Sequence, residues 1–425
     1  MIARARSGWT RKPLGEVADV ISGYAFKSGE FGDSGIPVIK IKNIRVGLVD
    51  LTGADRVDEK FLSIPERYHV RAGDILISLT GSHISQPNSV VGRVARHSTG
   101  LPDCLLNQRA GKVIIRDRNA CDLSFLFYAL SESETVRAIA MKAHGAANQA
   151  NVSPTQVESV EIPLPPPPVQ RRIAGILSAH DELIANCQRR IQLLEAMARA
   201  LYREWFVNFR FPGHEKHPRI ASPLGDIPQG WEVKKLSELC SRMESGGTPR
   251  RNTPEYWEGG TIDWFKTGEL WDGFLFESEE KITERGFCRV FSPGTIMMAI
   301  YGSPTVGRLG ITTRPSSCNQ AALGLVADTT YITQSFLYFV LFSLRDHFNG
   351  LAQGAAQQNI SKEKVATALA VVPPRQLVTD FARLVDPIFD QIQALQRQIQ
   401  NLRRTRDLLL PRLLSGQVEL KTQAA

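Results

Sequence analysis

Residues 169–205 read VQRRIAGILSAHDELIANCQRRIQLLEAMARALYREW, and residues 377–413 read LVTDFARLVDPIFDQIQALQRQIQNLRRTRDLLLPRL. In the first stretch, Ile173, Ile176, Leu183, Ile191, Leu194 and Leu201 belong to a stripe whose apolar or small members recur at steps of three and four. In the second, Leu384, Ile388, Ile392, Leu395, Ile399 and Leu402 do the same, at an offset of 208 residues except at Ile392, which stands 209 after Leu183. Alternating threes and fours give a narrow apolar seam, the pattern of helix-on-helix packing close to a coiled coil. The spacing therefore predicts two long helices, over 169–210 and 375–425, that pair antiparallel with each other. Thirty-six residues of helix would span roughly 54 Å at 1.5 Å per residue, enough for a rigid spacer. Two features break the second seam. Arg406 occupies a seam position, and Asp386-Pro387 reads as the N-cap and first turn of a new helical segment.

Upstream of each helix the chain repeats itself. IPLPPPPVQ (162–170) and VVPPRQ (371–376) precede the helices, and GAANQANVS (145–153) and GAAQQNIS (354–361) precede those junctions. Farther back, SFLFY (124–128) returns as SFLYF (335–339), and VGR recurs at 91 and 306. VRAGDILISLTGS (70–82) returns as VFSPGTIMMAIYGS (290–303), and GWTRKPLGEVADVISG (8–23) as GWEVKKLSELCSRMESGG (230–247). The order is conserved, and the period far exceeds that of a solenoid, so each copy is a domain. Short β-branched runs such as IPVIKIKNI and AGKVIIR predict strands, and the SFLFY and SFLYF stretches predict helices. The fold class is therefore α+β, with domains at 1–168 and 211–374 separated by the helical segments 169–210 and 375–425.

Composition narrows the class. The 425 residues are 43% hydrophobic and 22% charged, as in globular proteins. Neither an apolar leader nor a run of eighteen apolar residues is present, so the expectation is a cytoplasmic protein without a membrane span. The six cysteines, Cys104, Cys121, Cys187, Cys240, Cys288 and Cys318, form no CxxC pair and read as reduced thiols. The net charge of +8 fits a phosphate-binding partner without demanding one.

Taken together, the duplicated GW starts, the AGDILIS and PGTIMMA strands and the NVS…IPLPPPPVQRRIAGIL and NIS…VVPPRQ junctions carry a resemblance. With the helix ending ALYREWFVNFRFP, they resemble the specificity subunit of type I restriction–modification enzymes, over essentially the whole length. The resemblance implies two target-recognition domains, each reading half of a bipartite, asymmetric site in double-stranded DNA. It also implies spacer helices that dock two modification (methyltransferase) subunits, which bind S-adenosylmethionine. Restriction subunits with ATP-driven translocase and nuclease activity, and hence Mg, complete such a complex. A stand-alone DNA-binding regulator with duplicated domains is the alternative.

Catalytic signatures do not stand out. No D/N-P-P-Y/F methyltransferase motif occurs, and AGKV (110–113) lacks the Ser or Thr of a phosphate-binding loop. Asp263 with Glu279-Glu280-Lys281 only faintly imitates a nuclease, and His180-Asp181 reads as a seam residue beside a solvated acid. The chain is expected to be non-catalytic and to hold no cofactor or metal of its own.

Residues common to both copies cannot distinguish two half-sites and should serve scaffold, turns or phosphates. Asn148, Gln149, Gln357 and Gln358 fall in that class, with a capping turn before a helix near Ser153 or Ser361 as the plain reading. Base reading should lie where flanks agree and interiors differ. Between GS and VGR the first copy inserts HISQPNSV (83–90), with His83, Ser85, Gln86 and Asn88 after Ser82; the second has only Pro304-Thr305. Another divergent place sets Lys27 against Arg250, Arg251 and Asn252. Arg suits guanine, and Asn or Gln suits adenine. Lys40, Lys42, Asn43 and Arg93, with Lys266, Thr267, Tyr301, Ser303, Thr305 and Arg308 in the second copy, complete the candidate set.

Overall fold

A computed structural model describes residues 9–82, 90–146, 149–286, 289–302, 305–353, 359–418 and 420. The chain divides into two units, one of Met1–Leu183 with Leu402–Ala425 and one of Ile184–Asn401.

In the first unit, the run Ile-Leu-Ile-Ser has no polar alternation, which suits a strand covered on both faces. It forms β5 (Ile75–Ser78), buried at every position. The other strands of its sheet are β2 (Ala18–Ser22), β4 (Gly47–Leu48), β7 (Val94–Arg96) and β9 (Ala110–Ile115), in the order β2-β9-β5-β7-β4. A second sheet pairs β3 (Ile36–Ile39) parallel to β8 (Cys104–Leu106). Strand β1 (Thr10–Pro13) runs antiparallel to β12 (Glu161–Leu164), so the domain's first segment grips its last. A further three-stranded sheet is made of β6 (Thr80–Gly81), β10 (His144–Ala146) and β11 (Gln149–Asn151). Helix α1 (Leu123–Ser131) begins where the Asp122 carboxylate accepts from Phe125 N. Helix α2 (Pro154–Glu158) is capped by Ser153, whose hydroxyl accepts from Gln156 N.

The second unit contains the same architecture. Its main sheet comprises β14 (Cys240–Ser245), β16 (Gly273–Leu275), β18 (Ile296–Ala299), β19 (Leu309–Thr312) and β21 (Ala322–Ala327). Their order is β14-β21-β18-β19-β16, the counterpart of the first sheet strand for strand. Both sheets end in a parallel pair, β7 with β4 and β19 with β16. Strands β15 (Ile262–Phe265) and β20 (Ser316–Cys318) pair parallel as β3 and β8 do, with β17 (Glu280–Ile282) on the other side of β15. The gripping pair also recurs, β13 (Glu232–Lys235) against β22 (Leu369–Val372). Helix α4 (Gln334–Ser343) is capped by Thr333, and α5 (Lys362–Thr367) by Ser361.

The shared glycines have a steric cause. A Cβ on Gly23 would lie 2.3 Å from the Leu106 carbonyl oxygen, and one on its counterpart Gly246 would lie 2.1 Å from that of Cys318. The adjoining Asn107 and Asn319 use their Oδ1 atoms alike, accepting from Arg109 N and Ala321 N. Repeated NQ and SG thus encode one close backbone crossing, made twice.

Two long helices follow the domains, α3 (Pro167–Tyr202) and α6 (Arg375–Leu414). Pro167 opens α3, where its missing N–H costs nothing. Within the second unit the helices run antiparallel. The rings of Tyr202 and Phe381 lie 6.1 Å apart, while Ala198, one turn earlier on α3, shares a small cavity wall with Phe389 and Ile392 of α6. Of the seam residues, Ile173, Ile191, Ile392, Leu395 and Ile399 are buried, and Ile176, Leu194, Leu201, Ile388 and Leu402 are half-buried. Leu183 and Leu384 correct the strict seam, being 49% and 50% exposed, with Ile184 and Val385 buried beside them. Each helix also packs on its own domain, and an ideal helix drifts against a 3.5-residue repeat, so the buried face moves by one position.

A second correction concerns Pro387. Helix α6 is continuous through it. A proline inside a helix forfeits one hydrogen bond, at about 3 kcal/mol. Here both Pro387 and Arg383, whose carbonyl loses that donor, are on the exposed side of the helix, while Val385 and Ile392 remain buried on the opposite face.

Among the described residues, no helix is long and apolar enough to cross a membrane. Cys104, Cys121, Cys187 and Cys318 are buried and Cys240 is half-buried, none of the five in a disulfide; Cys288 lies outside the described residues.

Candidate nucleic-acid interface

Within the first copy of the repeated phrase, β10 and β11 pair antiparallel, with Gly145 at φ 137°. Strand β11 also pairs with β6, setting Ala150 opposite Gly81 and Asn151 opposite Thr80. Ser82 and Gln149 are therefore brought to the same edge, where the divergent loop begins. In the second unit Asn359 bridges to Tyr301 at the matching place, and its Oδ1 accepts from Gly302 N at 3.1 Å. The conserved phrase thus anchors the base of each divergent loop, besides leading into the Ser153 and Ser361 caps. His83, Ser85, Gln86, Asn88, Asn148, Ser303, Gln357 and Gln358 lie outside the described residues.

A basic turn follows β3. Lys40 and Lys42 flank the carboxylate of Asp55, at 3.1 and 2.9 Å, and the Lys40 ammonium sits 3.5 Å above the Phe31 ring. The hydrogen bond from Lys42, reinforced by Lys40, holds the Asp55 carboxyl below its ordinary range. Asn43 is the geometric centre of this turn. It is 1% exposed, its Oδ1 accepting from Lys40 N and its Nδ2 donating to Asp50 O. A side chain so engaged shapes the turn, which corrects its place among residues facing a ligand. Nearby, the Arg93 guanidinium donates to the Ile44 carbonyl, and burial together with Arg45 lowers its pKa. Lys27 lies apart on an exposed turn whose Glu30 carboxylate accepts from its backbone N–H.

The second unit repeats the turn with other partners. Lys266 N donates to Glu269, as Lys40 N does to Asn43, and the Lys266 ammonium lies 2.8 Å from Glu279. Thr267 is half-buried in that turn. Arg251 makes a two-pronged contact with Glu280, both bonds at 3.0 Å, and lies 4.0 Å over the Trp257 ring. Arg250 and Asn252 are exposed beside it. Tyr301 is 39% exposed, Arg308 is half-buried, and the Thr305 hydroxyl donates back to the Tyr301 and Gly302 carbonyls. The acids at Asp55, Glu279 and Glu280 were the part of this geometry that sequence reading missed. Their signal is weak, since Asp55 and Glu279 lie just before short strands and Glu280 opens β17, each away in sequence from the cation it meets.

The catalytic look-alikes resolve into structure. Asp263 is fully buried, accepts from Ser278 and pairs with Arg314. Asp181 corrects its reading as a solvated acid. It accepts from the Tyr128 hydroxyl at 2.6 Å and from Arg406 at 2.7 Å. Cys104 and His97 meet at 3.6 Å, but burial pushes the thiol up to about 12 and the imidazole below its ordinary value. That is the reverse of an activated thiolate. Among the described residues, no group of three or more His, Cys, Asp or Glu could hold a metal ion.

Two α+β domains whose main sheets share one strand order, each followed by a long helix of an antiparallel pair, define a duplicated scaffold with divergent loops on a shared frame. The chain belongs to the family described as the type I restriction modification DNA specificity domain, which matches residues 6–196 and 228–402. It is 25% identical over 432 residues to the type I restriction enzyme MjaIX specificity subunit of Methanocaldococcus jannaschii, covering 99% of this chain and 96% of that one. Against the EcoAI specificity subunit of Escherichia coli it is 31% identical over 183 residues, 43% of this chain and 29% of that one. The crystal structure of the type I restriction–modification S subunit from M. genitalium has the same fold, with TM-score 0.62 at 17% identity, covering 97% and 98% of the two chains.

Proposed function

We propose that this chain is the non-catalytic, DNA-reading subunit of a type I restriction–modification complex, each α+β domain recognising one half of an asymmetric bipartite site. The observation that carries the reading is the divergence of loops on identical frames. Asn151 and Asn359 anchor equivalent loop bases, yet 83–90 in one copy is replaced by 304–305 in the other. Cations at Lys40, Lys42 and Arg93, and at Lys266 and Arg308, would meet phosphates and fix register. Gln86, Asn88, Arg250, Arg251 and Asn252 offer the side chains that discriminate bases. The paired helices dock two methyltransferase subunits, and S-adenosylmethionine, ATP and Mg belong to those and to restriction subunits. Localisation with DNA in the cytoplasm follows from that role.

The test is to produce the chain with its methyltransferase subunits and sequence the methylated motif. Gln86→Ala with Asn88→Ala should relax one half of the motif and leave the other unchanged. Equal relaxation of both halves would overturn the assignment of one half-site to each domain. Methyl transfer by the highly purified chain alone, abolished by a substitution within it, would overturn the non-catalytic reading.

A further inference from the structure

The two units are built on the same frame, yet one contact set differs in kind. In the first unit, Tyr128 of α1, Asp181 of α3 and Arg406 of α6 form a polar cluster, joined by hydrogen bonds of 2.6 and 2.7 Å. The side chains of Asp181 and Arg406 are only 25% and 30% exposed. The offset of 208 residues maps Asp181 onto Phe389 and Arg406 onto Ala198, and the SFLFY–SFLYF repeat maps Tyr128 onto Phe339. These three counterparts also sit together. Phe339 and Phe389 have ring centroids 5.7 Å apart, and with Ala198 they line one small cavity of the second unit. One unit is locked by a charge pair where the other is locked by two phenyl rings and a methyl group.

That asymmetry bears on what each helix accepts as its partner. A copy of α3 offered to α3 would place Ala198 where Asp181 meets Arg406, leaving the carboxylate sheltered without its cation. A copy of α6 offered to α6 would set Arg406 against Phe389 and Phe339, taking Asp181 from it and leaving the bonds to its neighbour Asp407, at 2.8 and 3.0 Å, as its polar contacts. Removing one member of a sheltered pair costs far more than the intact pair contributes, because the other charge stays desolvated. The helix ends add a mismatch of shape. Tyr202, Trp205 and Phe206 pack in the core of the second unit, whereas their counterparts Leu410, Leu413 and Leu414 pack in that of the first.

We propose that Asp181, Arg406 and Tyr128 form a pairing code by which the N-terminal half of the chain selects the C-terminal half rather than a second copy of itself. The seam alone, being nearly the same in both helices, does not make that distinction. Specificity of this kind rests on a penalty against the wrong partner as much as on attraction to the right one. The inference is independent of which DNA sequence the domains read.

The test uses the whole folded protein with a protease site inserted at the exposed hairpin tip 221–226, cleaved after folding so that both halves are present. Cleaved wild-type protein is mixed with cleaved Asp181→Arg/Arg406→Asp protein carrying a mass tag, under conditions where halves exchange, and the pairs are counted by native mass spectrometry. Both parents keep a charge pair, so neither depends on a variant that lacks one. Cognate N:C pairs should exceed crossed N:C pairs at least about tenfold, as expected for like charges held together. In parallel, Tyr128→Phe/Asp181→Phe/Arg406→Ala, which copies the apolar set, should raise the N:N share at least about tenfold over wild type. Crossed pairs at their statistical share would overturn the code, as would an apolar triple variant as selective as wild type.

Discussion

The Thr80 hydroxyl donates to Asn151 Oδ1 at 2.8 Å, across 71 residues of sequence. That bond ties β6, from which the divergent loop 83–90 departs, to β11 of the repeated phrase. Asn151→Ala should cost about 1 kcal/mol, the usual net worth of such a bond. Asn359→Ala, which removes the bond to Gly302 N, should cost a similar amount. In urea unfolding, the midpoint should fall in both variants. In the methylated motif, each should loosen discrimination in one half only, and a different half from the other.

The duplicated backbone crossing offers a sharper stability test. Gly23→Ala or Gly246→Ala would drive a Cβ to within 2.3 or 2.1 Å of a backbone carbonyl oxygen. Neither neighbour is a flexible side chain, so the strand must move, at a cost of about 1–3 kcal/mol. Gly175 is the control, an exposed residue inside α3 with no heavy atom within 4 Å of the added Cβ. Gly175→Ala should stabilise by about 0.5–1 kcal/mol through helix propensity alone. Thermal unfolding of the three variants reads the two signs directly.

The duplication and both long helices were legible because apolar periodicity and repeated turn residues are local signals. The identity of strand order in the two sheets followed, since equal frames come from equal patterns. What stayed hidden depended on contacts between distant residues. Arg406 looked like a flaw in the seam until Asp181 and Tyr128 were placed against it. Pro387 looked like a break because sequence does not show that it falls on the exposed side of the helix. Asn43 stood among the candidate DNA contacts beside Lys40 and Lys42, yet its side chain is spent on its own turn.

Glu195 supplies a pH test. Its carboxylate lies 3.4 Å from Arg199, and burial raises its pKa despite that partner. A carboxyl raised in the folded state destabilises the fold when ionised, and the penalty is removed by protonation. Glu195→Gln should therefore stabilise the protein at neutral pH, by less than about 1 kcal/mol for a partly compensated group. The advantage over wild type should be full above the raised folded-state value and should vanish as pH falls below the unfolded value near 4.5. Denaturant midpoints of both proteins between neutral and acid pH measure that difference curve, and a gap that widened toward acid would contradict the assignment.

Asp55 sets the last prediction, because it stands between two cations proposed to meet phosphates. Its carboxylate lies 3.1 Å from the Lys40 ammonium and 2.9 Å from that of Lys42. A phosphate approaching this turn must compete with an acid already in place and is repelled by it. Lys40→Ala with Lys42→Ala should weaken binding to every DNA sequence alike and flatten its dependence on salt, since fewer counterions are released. Asp55→Asn should do the reverse, tightening binding to non-cognate DNA and steepening the salt slope while the recognised motif stays the same. Titrations of the assembled complex with cognate and non-cognate duplexes at several salt concentrations separate these effects. If Asp55→Asn altered the motif instead, the turn would be reading bases. If neither change moved the salt slope, DNA would pass elsewhere on the domain.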